Sequence, residues 1–395
     1  MVQSDYSCIL FSTADWDEPY WTNKQHTAKA LANLGVRVLY VESVGLRAPK
    51  GNSRRDWQRL KSRLLKGISS LLKGAVQREA NVYVLSPLLV PAGYRHPFLR
   101  KINKFLLRLA ISRSLSAHSL MSPLIWTYHP FMMDIFSREQ YKYLLYHCVD
   151  DLSAVPGIDP VSFRSAELEL LKSAKVIFAT APALVERCQP YNDSVYYLPN
   201  VVDFEHFNST TSKSALPADL VHIPLPRLIY HGVLSDFKIN FSLLHESAQA
   251  RPDWSWIFIG EQREGQSSKE VERLKKLPNV YFLGYRSYAE IPRYLNHSSV
   301  GLLPTLVNDY TKSMFPMKFF EYIAAGLPVV STSLDALLQH RPSALEFGDS
   351  AKSFCQAIET QLKAGKISPE NALEIIGKNT WRDRTRKMLE HLVED

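Results

Sequence analysis

The chain is poor in glycine: none of its 16 glycines stands two positions from another, so the G-x-G core of a dinucleotide fingerprint is missing. G-K-S/T, H-E-x-x-H and G-x-S-x-G are also absent, which removes the P-loop, zincin and serine-hydrolase readings. Cysteine is scarce too. Cys8, Cys148, Cys188 and Cys355 form no C-x-x-C pair, so reduced thiols in a cytosolic chain are expected, not a disulfide frame or a zinc site. No apolar run approaches the roughly 20 residues of a membrane span. The early run Cys8–Phe11 has no basic leader or cleavage site, so no signal peptide is expected. What is present is ordinary globular material: 46% hydrophobic and 22% charged residues over 395 positions, enough for two or three domains at about 150 residues each.

The net charge of +8 is unevenly spread. Between Arg47 and Arg113 there are 16 Lys or Arg against Asp56 and Glu79, an excess of +14, while the remainder is net −6. This segment calls for a negatively charged partner. Within it Trp57, Leu60, Leu64, Ile68 and Leu71 recur at helical spacing among Arg59, Lys61, Arg63, Lys66 and Lys73. Phe98, Ile102, Phe105, Leu106 and Leu109 repeat the pattern among Arg100, Lys101, Lys104 and Arg108. Two cationic amphipathic helices suit an anionic membrane surface. A packed helix with a solvated basic face is the plainer reading of either one alone. No nucleic-acid recognition motif accompanies the charge.

Short β-branched and aromatic runs alternate with helical patterns. They are Ser7–Ser12, Val36–Glu42, Asn81–Pro87, Pro123–Tyr128, Tyr143–Cys148, Val176–Thr180, Val195–Asn200, Arg227–Gly232, Trp254–Gly260, Asn279–Gly284, Ser299–Pro304 and Pro328–Thr332. Continuous apolar strands separated by helices predict α/β domains with parallel sheets covered on both faces. Two such sets predict domains at 1–207 and 227–378, joined by the Ser/Thr/Pro-rich linker 208–226 and followed by a polar helix at 379–395.

The stretch Phe315–Thr332, FPMKFFEYIAAGLPVVST, predicts a short helix from about Met317 to Ala325, a Gly326 cap and a buried strand. Lys318 and Glu321 share one face of its first turn. There a lysine can meet a diphosphate and a carboxylate can accept from two vicinal ribose hydroxyls. A surface Lys–Glu pair ahead of a core strand fits the same spacing.

The wider pattern PxKxxEYxAxGxPVV, with YFLGY at Tyr281–Tyr285, resembles the nucleotide-sugar site of GT-B glycosyltransferases. YLPNVVDFEHF, RLIYHGVLSDFKINFSLL and RPDWSWIFIG resemble further segments of that family, so the likeness runs over nearly the whole chain and is most specific in its C-terminal half. It implies two doubly wound Rossmann-like domains facing a central cleft, an acceptor domain first and a donor domain second, with the last helix crossing back. It also implies a nucleotide-sugar donor, a UDP-sugar by default, with no cofactor and no metal. By the same resemblance Met317 and Lys318 border the nucleotide, Glu321 holds the ribose, Tyr285 lies near the base, and Gly232 allows close approach of the donor. Retaining members carry a second Glu eight positions before the ribose-binding one; Ser313 stands there, so an inverting mechanism is expected, with Asp309 as a substitute acid if it is not.

An inverting transferase needs a base for the acceptor hydroxyl. Asp150 and Asp151 follow a buried strand, as in the xanthan glucuronosyltransferase-type enzymes that this arrangement resembles; Asp150 is expected as base and Asp151 as helix cap. Asp15, Trp16, Asp17 and Trp21, after the first strand, are expected to line the acceptor site, although Asp15-Trp16-Asp17 also matches a metal-binding D-x-D. His26 and His129 are left as structural histidines. The expected protein transfers a sugar to a glycan hydroxyl, on a lipid-linked or polysaccharide precursor, in the cytoplasm against the inner face of the membrane. A nucleotide-sugar epimerase of the same fold would need no acceptor. A non-catalytic sugar-binding scaffold would neither hydrolyse nor transfer.

Overall fold

The computed structural model describes residues 7–43, 54–89, 97–133, 135–136, 140–208, 215–262 and 268–392. The chain forms two compact units, Met1–Leu198 with Trp381–Asp395, and Pro199–Thr380.

In the first unit the elements run β1 (Cys8–Phe11), α1 (Asn23–Asn33), β2 (Val38–Val41), α2 (Arg54–Lys73), β3 (Val76–Glu79), β4 (Val82–Leu85), α3 (Pro97–Ala117) and β5 (Leu124–Thr127). They continue through β6 (Leu144–Cys148), α4 (Pro160–Ser173), β7 (Val176–Ala179), α5 (Pro182–Cys188) and β8 (Val195–Tyr197). Sheet order is β3-β4-β2-β1-β5-β6-β7-β8, parallel except for β3. Strands β1, β2, β5, β6 and β7 are buried at every position, as continuous apolar runs between two helical layers must be.

The second unit runs α6 (Phe204–Asn208), β9 (Arg227–His231), α7 (Phe241–Ala250), β10 (Ser255–Ile259), α8 (Lys269–Leu274), β11 (Val280–Gly284), α9 (Ile291–Asn296) and β12 (Val300–Leu303). It ends with α10 (Lys318–Ala324), β13 (Val329–Ser331), α11 (Asp335–Leu338), β14 (Leu345–Phe347), α12 (Ala351–Ala364) and α13 (Pro369–Ile376). The sheet is fully parallel, in the order β11-β10-β9-β12-β13-β14. The stretch expected as a linker is partly built into this unit. Leu220 and Ile223 are buried in its core, and the Arg227 guanidinium donates to the carbonyls of Leu220, Ile223 and His297. The last helix, α14 (Trp381–Glu390), packs on α1 of the first unit: Trp381 stacks on His26 at 4.6 Å, and Arg384 donates to Asn23 Oδ1 at 2.9 Å.

Candidate donor and acceptor sites

Each sheet reverses its strand order once, at β1/β5 in the first unit and at β9/β12 in the second. Ligands of open α/β sheets bind at the carboxyl ends of such strand pairs. Helix α10 seats itself at the second reversal. Phe319, Phe320, Tyr322 and Ile323 are all buried, so the helix has no solvent face and carries Glu321 inward with them. Tyr322 pins it: its hydroxyl accepts from the His231 N–H and donates to the Leu302 carbonyl, both at 3.3 Å, bridging β9 and β12. The ring fits because position 301 is glycine, where a Cβ would lie 2.5 Å from it.

Lys318 and Glu321 therefore meet the end of β9. The Lys318 ammonium lies over Gly232, where a Cβ would come within 2.6 Å of its Cε, and 5.5 Å from the Tyr230 ring centroid. Gly232 has φ of +121°, a conformation that side chains rarely adopt. Glu321 Oε2 sits 3.3 Å from His231 Nε2 without hydrogen-bond alignment. Burial raises the Glu321 carboxyl to about 7 against the pull of Lys318. Burial, then the Lys318 charge, pushes His231 well below the usual imidazole range, so it is neutral. Burial also lowers Lys318, which Glu321 partly offsets. A cation, a carboxyl and a neutral imidazole thus converge, a set able to bind an anion and a vicinal diol. The sequence reading passed over His231, although its place directly before Gly232 at a strand end was the available signal.

The other expected donor residues lie in the same unit. Met317 occupies the capping position of α10 and is half-buried. Ser313 closes the turn Thr311–Ser313, also half-buried. Tyr285 follows β11, two strands from β9, or about 10 Å across the sheet. The loop after β9 is tied to the loop after β12 by Leu306 N–H to the Lys238 carbonyl (2.8 Å) and Asn308 Nδ2 to the Phe237 carbonyl (2.7 Å).

In the first unit Asp150 and Asp151 follow β6, and their roles diverge. Asp151 caps the turn Leu152–Ala154, accepting from the Ser153 amide (3.1 Å) and hydroxyl (2.6 Å), and pairs with Arg187 at 3.0 Å and Arg164 at 2.5 Å. Burial pushes its carboxyl up, but the Ser153 bonds and the two guanidiniums outweigh that and hold it below the usual carboxylate range. Asp151 is thus the structural cap expected of it, and Asp150 beside it is half-buried.

The expected acceptor cluster also separates. Trp16 is core, packed on Tyr40 and Trp21 at 5.1 Å each, with its amide donating to Glu42, so it offers no free face for stacking a sugar. Asp17 is a surface partner of Lys66 (3.1 Å) and Arg78 (3.2 Å). Asp15 and Trp21 are half-buried, and the Asp15 carbonyl accepts from Gln25. His129 stands just past β5 at the strand reversal, fully buried, with neither ring nitrogen hydrogen-bonded. Burial pushes it down to about 4. Its ring packs edge-on to Phe11 at 6.4 Å and beside Phe131 at 6.3 Å.

Two doubly wound units with this donor-side constellation define the GT-B fold, expected above from resemblance. Residues 226–364, all within the second unit, match the family model "Glycosyl transferases group 1". The putative teichuronic acid biosynthesis glycosyltransferase TuaH of Bacillus subtilis is 26% identical over 260 residues, 59% of this chain; the chain spans 61% of that relative's length. Among solved structures, a sucrose-phosphate synthase from Thermosynechococcus elongatus superposes with a TM-score of 0.67 at 15% identity, over 98% of both chains. HepE of Anabaena, solved with UDP-glucose, superposes with a TM-score of 0.67 at 16% identity, over 99% of this chain and 100% of that one.

Proposed function

We propose that this protein is a glycosyltransferase that takes a sugar from a UDP-sugar bound by the second unit and passes it to a hydroxyl of a lipid-linked glycan or polysaccharide precursor. The observation carrying this reading is the convergence of Lys318, Glu321 and His231 at the β9/β12 reversal, inside the group 1 match. Lys318 meets the charge that builds on the departing diphosphate, and Glu321 accepts from the ribose hydroxyls. UDP-glucose in HepE and the teichuronic acid relative favour a uridine donor and a cell-surface glycan product.

The reaction is inverting and needs no metal. An uncharged Ser313 in place of a second carboxylate supports the first point, and stabilisation of the leaving group by Lys318 supports the second. Asp150 takes the proton from the acceptor hydroxyl as the new glycosidic bond forms and the bond to the diphosphate breaks. The work is placed in the cytoplasm, against the inner face of the membrane.

Calorimetry with UDP, GDP and dTDP tests the donor site, and NMR of the product anomer tests the mechanism. UDP binding that Lys318→Ala and Glu321→Ala both weaken is the expected result. Unchanged nucleotide affinity in both variants sinks the assignment, and a retained anomeric configuration sinks inversion.

A further inference from the structure

Helices α2 and α3 leave large apolar side chains exposed. On α2 the described inward positions are Gly67, buried so closely that a Cβ would lie 2.9 Å from Leu88, Ser70, whose Oγ accepts from the Ser86 amide, and Leu71, half-buried against the core. Four other large residues face out, Leu65 at 59% and Leu72 at 74% exposure, with Leu64 and Ile68 beside them. On α3, Leu107, Ala110, Ile111 and the hydrogen-bonded Ser114 are buried, while Phe98 (65%) and Phe105 (66%) are exposed. Phe98 and Phe105 share the outward face with the exposed Lys101 and Arg108. The side chains of Trp57, Arg59, Leu60, Lys61 and Arg63 lie outside the described residues. A shallow groove of about 590 Å³ lies between the ends of the two helices, lined by Leu72, Lys73, Ser112, Arg113 and Ser116.

Water alone does not select leucines and phenylalanines outward on two neighbouring helices. Neither Leu64–Lys73 nor Pro97–Ala117 contains a single Asp or Glu. The surface is thus apolar and cationic at once. A second copy would bring like charge against like, and a nucleic acid has no use for Leu64, Leu65, Ile68 and Leu72. We infer that the outward faces of α2 and α3 dock on an anionic lipid bilayer, their leucines and phenylalanines entering the interface and their lysines and arginines meeting the headgroups. This specifies the membrane side of the proposed function and does not depend on the donor site.

Sedimentation with phosphatidylcholine vesicles, pure or mixed with an equal part of phosphatidylglycerol, tests it without donor or acceptor. The protein sediments with the mixed vesicles and not the neutral ones, and raised salt weakens binding, because surface charge is screened within about 8 Å at physiological ionic strength. Lys73→Glu/Lys101→Glu/Lys104→Glu lowers partitioning at least about tenfold. Leu72→Ser/Phe105→Ser, at exposed positions, removes the part that survives high salt, and unchanged circular dichroism shows both variants folded. Equal sedimentation with both vesicles or with neither, charge reversal without effect, a dimer dissolved by Leu72→Ser/Phe105→Ser, or tighter binding to RNA than to the mixed vesicles each overturns the inference. Transfer to a soluble acceptor continues in these variants, so a failure here is separable from a failure of the donor-site reading.

Discussion

Glu321→Gln sets stability against function at one atom pair. Burial raises the Glu321 carboxyl from 4.5 to about 7. The native state therefore holds this proton more tightly than the unfolded chain does, and stability falls as pH rises from about 4.5 through about 7, then levels off. Two and a half pH units at about 1.4 kcal/mol each put the cost of the ionised form at about 3.5 kcal/mol. Glutamine keeps the shape and never ionises. It also leaves the Lys318 ammonium without its countercharge, which takes back part of the gain, so a net stabilisation of about 1–2 kcal/mol is expected at pH 8. In a domain of this size that is about 3–6 °C in the melting midpoint. At pH 4.5, where wild type is already protonated, the difference vanishes.

The same substitution weakens the donor site. A carboxylate accepts from both ribose hydroxyls with charge assistance and an amide oxygen does so less well, for a loss of about 1.5–3 kcal/mol, or about 10- to 150-fold in UDP affinity. Thermal unfolding of wild type and variant at pH 4.5 and 8, with UDP calorimetry at pH 8, reads both effects. Because the pH dependence is taken as a difference between two proteins, titrating groups that do not interact with Glu321 cancel. A variant equally stable at both pH values relative to wild type refutes the buried, raised carboxyl, and unchanged UDP affinity refutes its contact with the ribose.

Lys318→Ala lowers UDP affinity by about 10- to 150-fold through loss of a charge-assisted contact, read by calorimetry. Gly232→Ala displaces the same ammonium and strains a left-handed backbone by about 1–3 kcal/mol, so it weakens UDP binding and lowers the melting midpoint together. Asp150→Asn reduces turnover at least about 100-fold with UDP affinity intact. Asp151→Asn instead destabilises the first unit by about 1–3 kcal/mol at pH 7, discounted because Arg164 is partly exposed; as its depressed carboxyl is stabilising only when ionised, that contribution fades as pH falls below about 4, and urea unfolding at both pH values checks it. Turnover persists in EDTA; activity lost to the chelator and restored by manganese makes Asp15 and Asp17 candidates again.

The fold was legible where the chain is most constrained. All twelve expected strands exist, eleven of them within a residue or two of their bounds and Val195–Asn200 ending three residues early, because a strand buried on both faces must be apolar at every position and Gly, Pro or Asn closes half of them. The two that escaped, β3 and β14, are edge strands. Val76–Glu79 pairs antiparallel with β4 and faces solvent, so its VQRE has no apolar run to betray it, and Leu345–Phe347 is three residues long. Hydrogen bonding to one neighbour builds such strands, and single-residue hydropathy does not record it.

At the site the limit was of a different kind. The spacing of Lys318 and Glu321 gave a shared helix face, because three residues on a helix fix that locally. It did not give the cost of that face, which depends on Phe319, Phe320, Tyr322 and Ile323 all being buried around it. Nor did it give His231, which joins the cluster across 90 residues through the Tyr322 hydroxyl. Asp151 and Trp16 show the converse: each has a residue type suited to catalysis or sugar stacking, and each is committed to partners distant in sequence, Arg187 for one and Tyr40 for the other. A residue's type proposes a role; its long-range partners decide whether the group is still available for it. By that criterion Trp16 is unavailable, whereas His129, buried at the carboxyl end of β5 against Phe11, keeps both ring nitrogens free of hydrogen bonds.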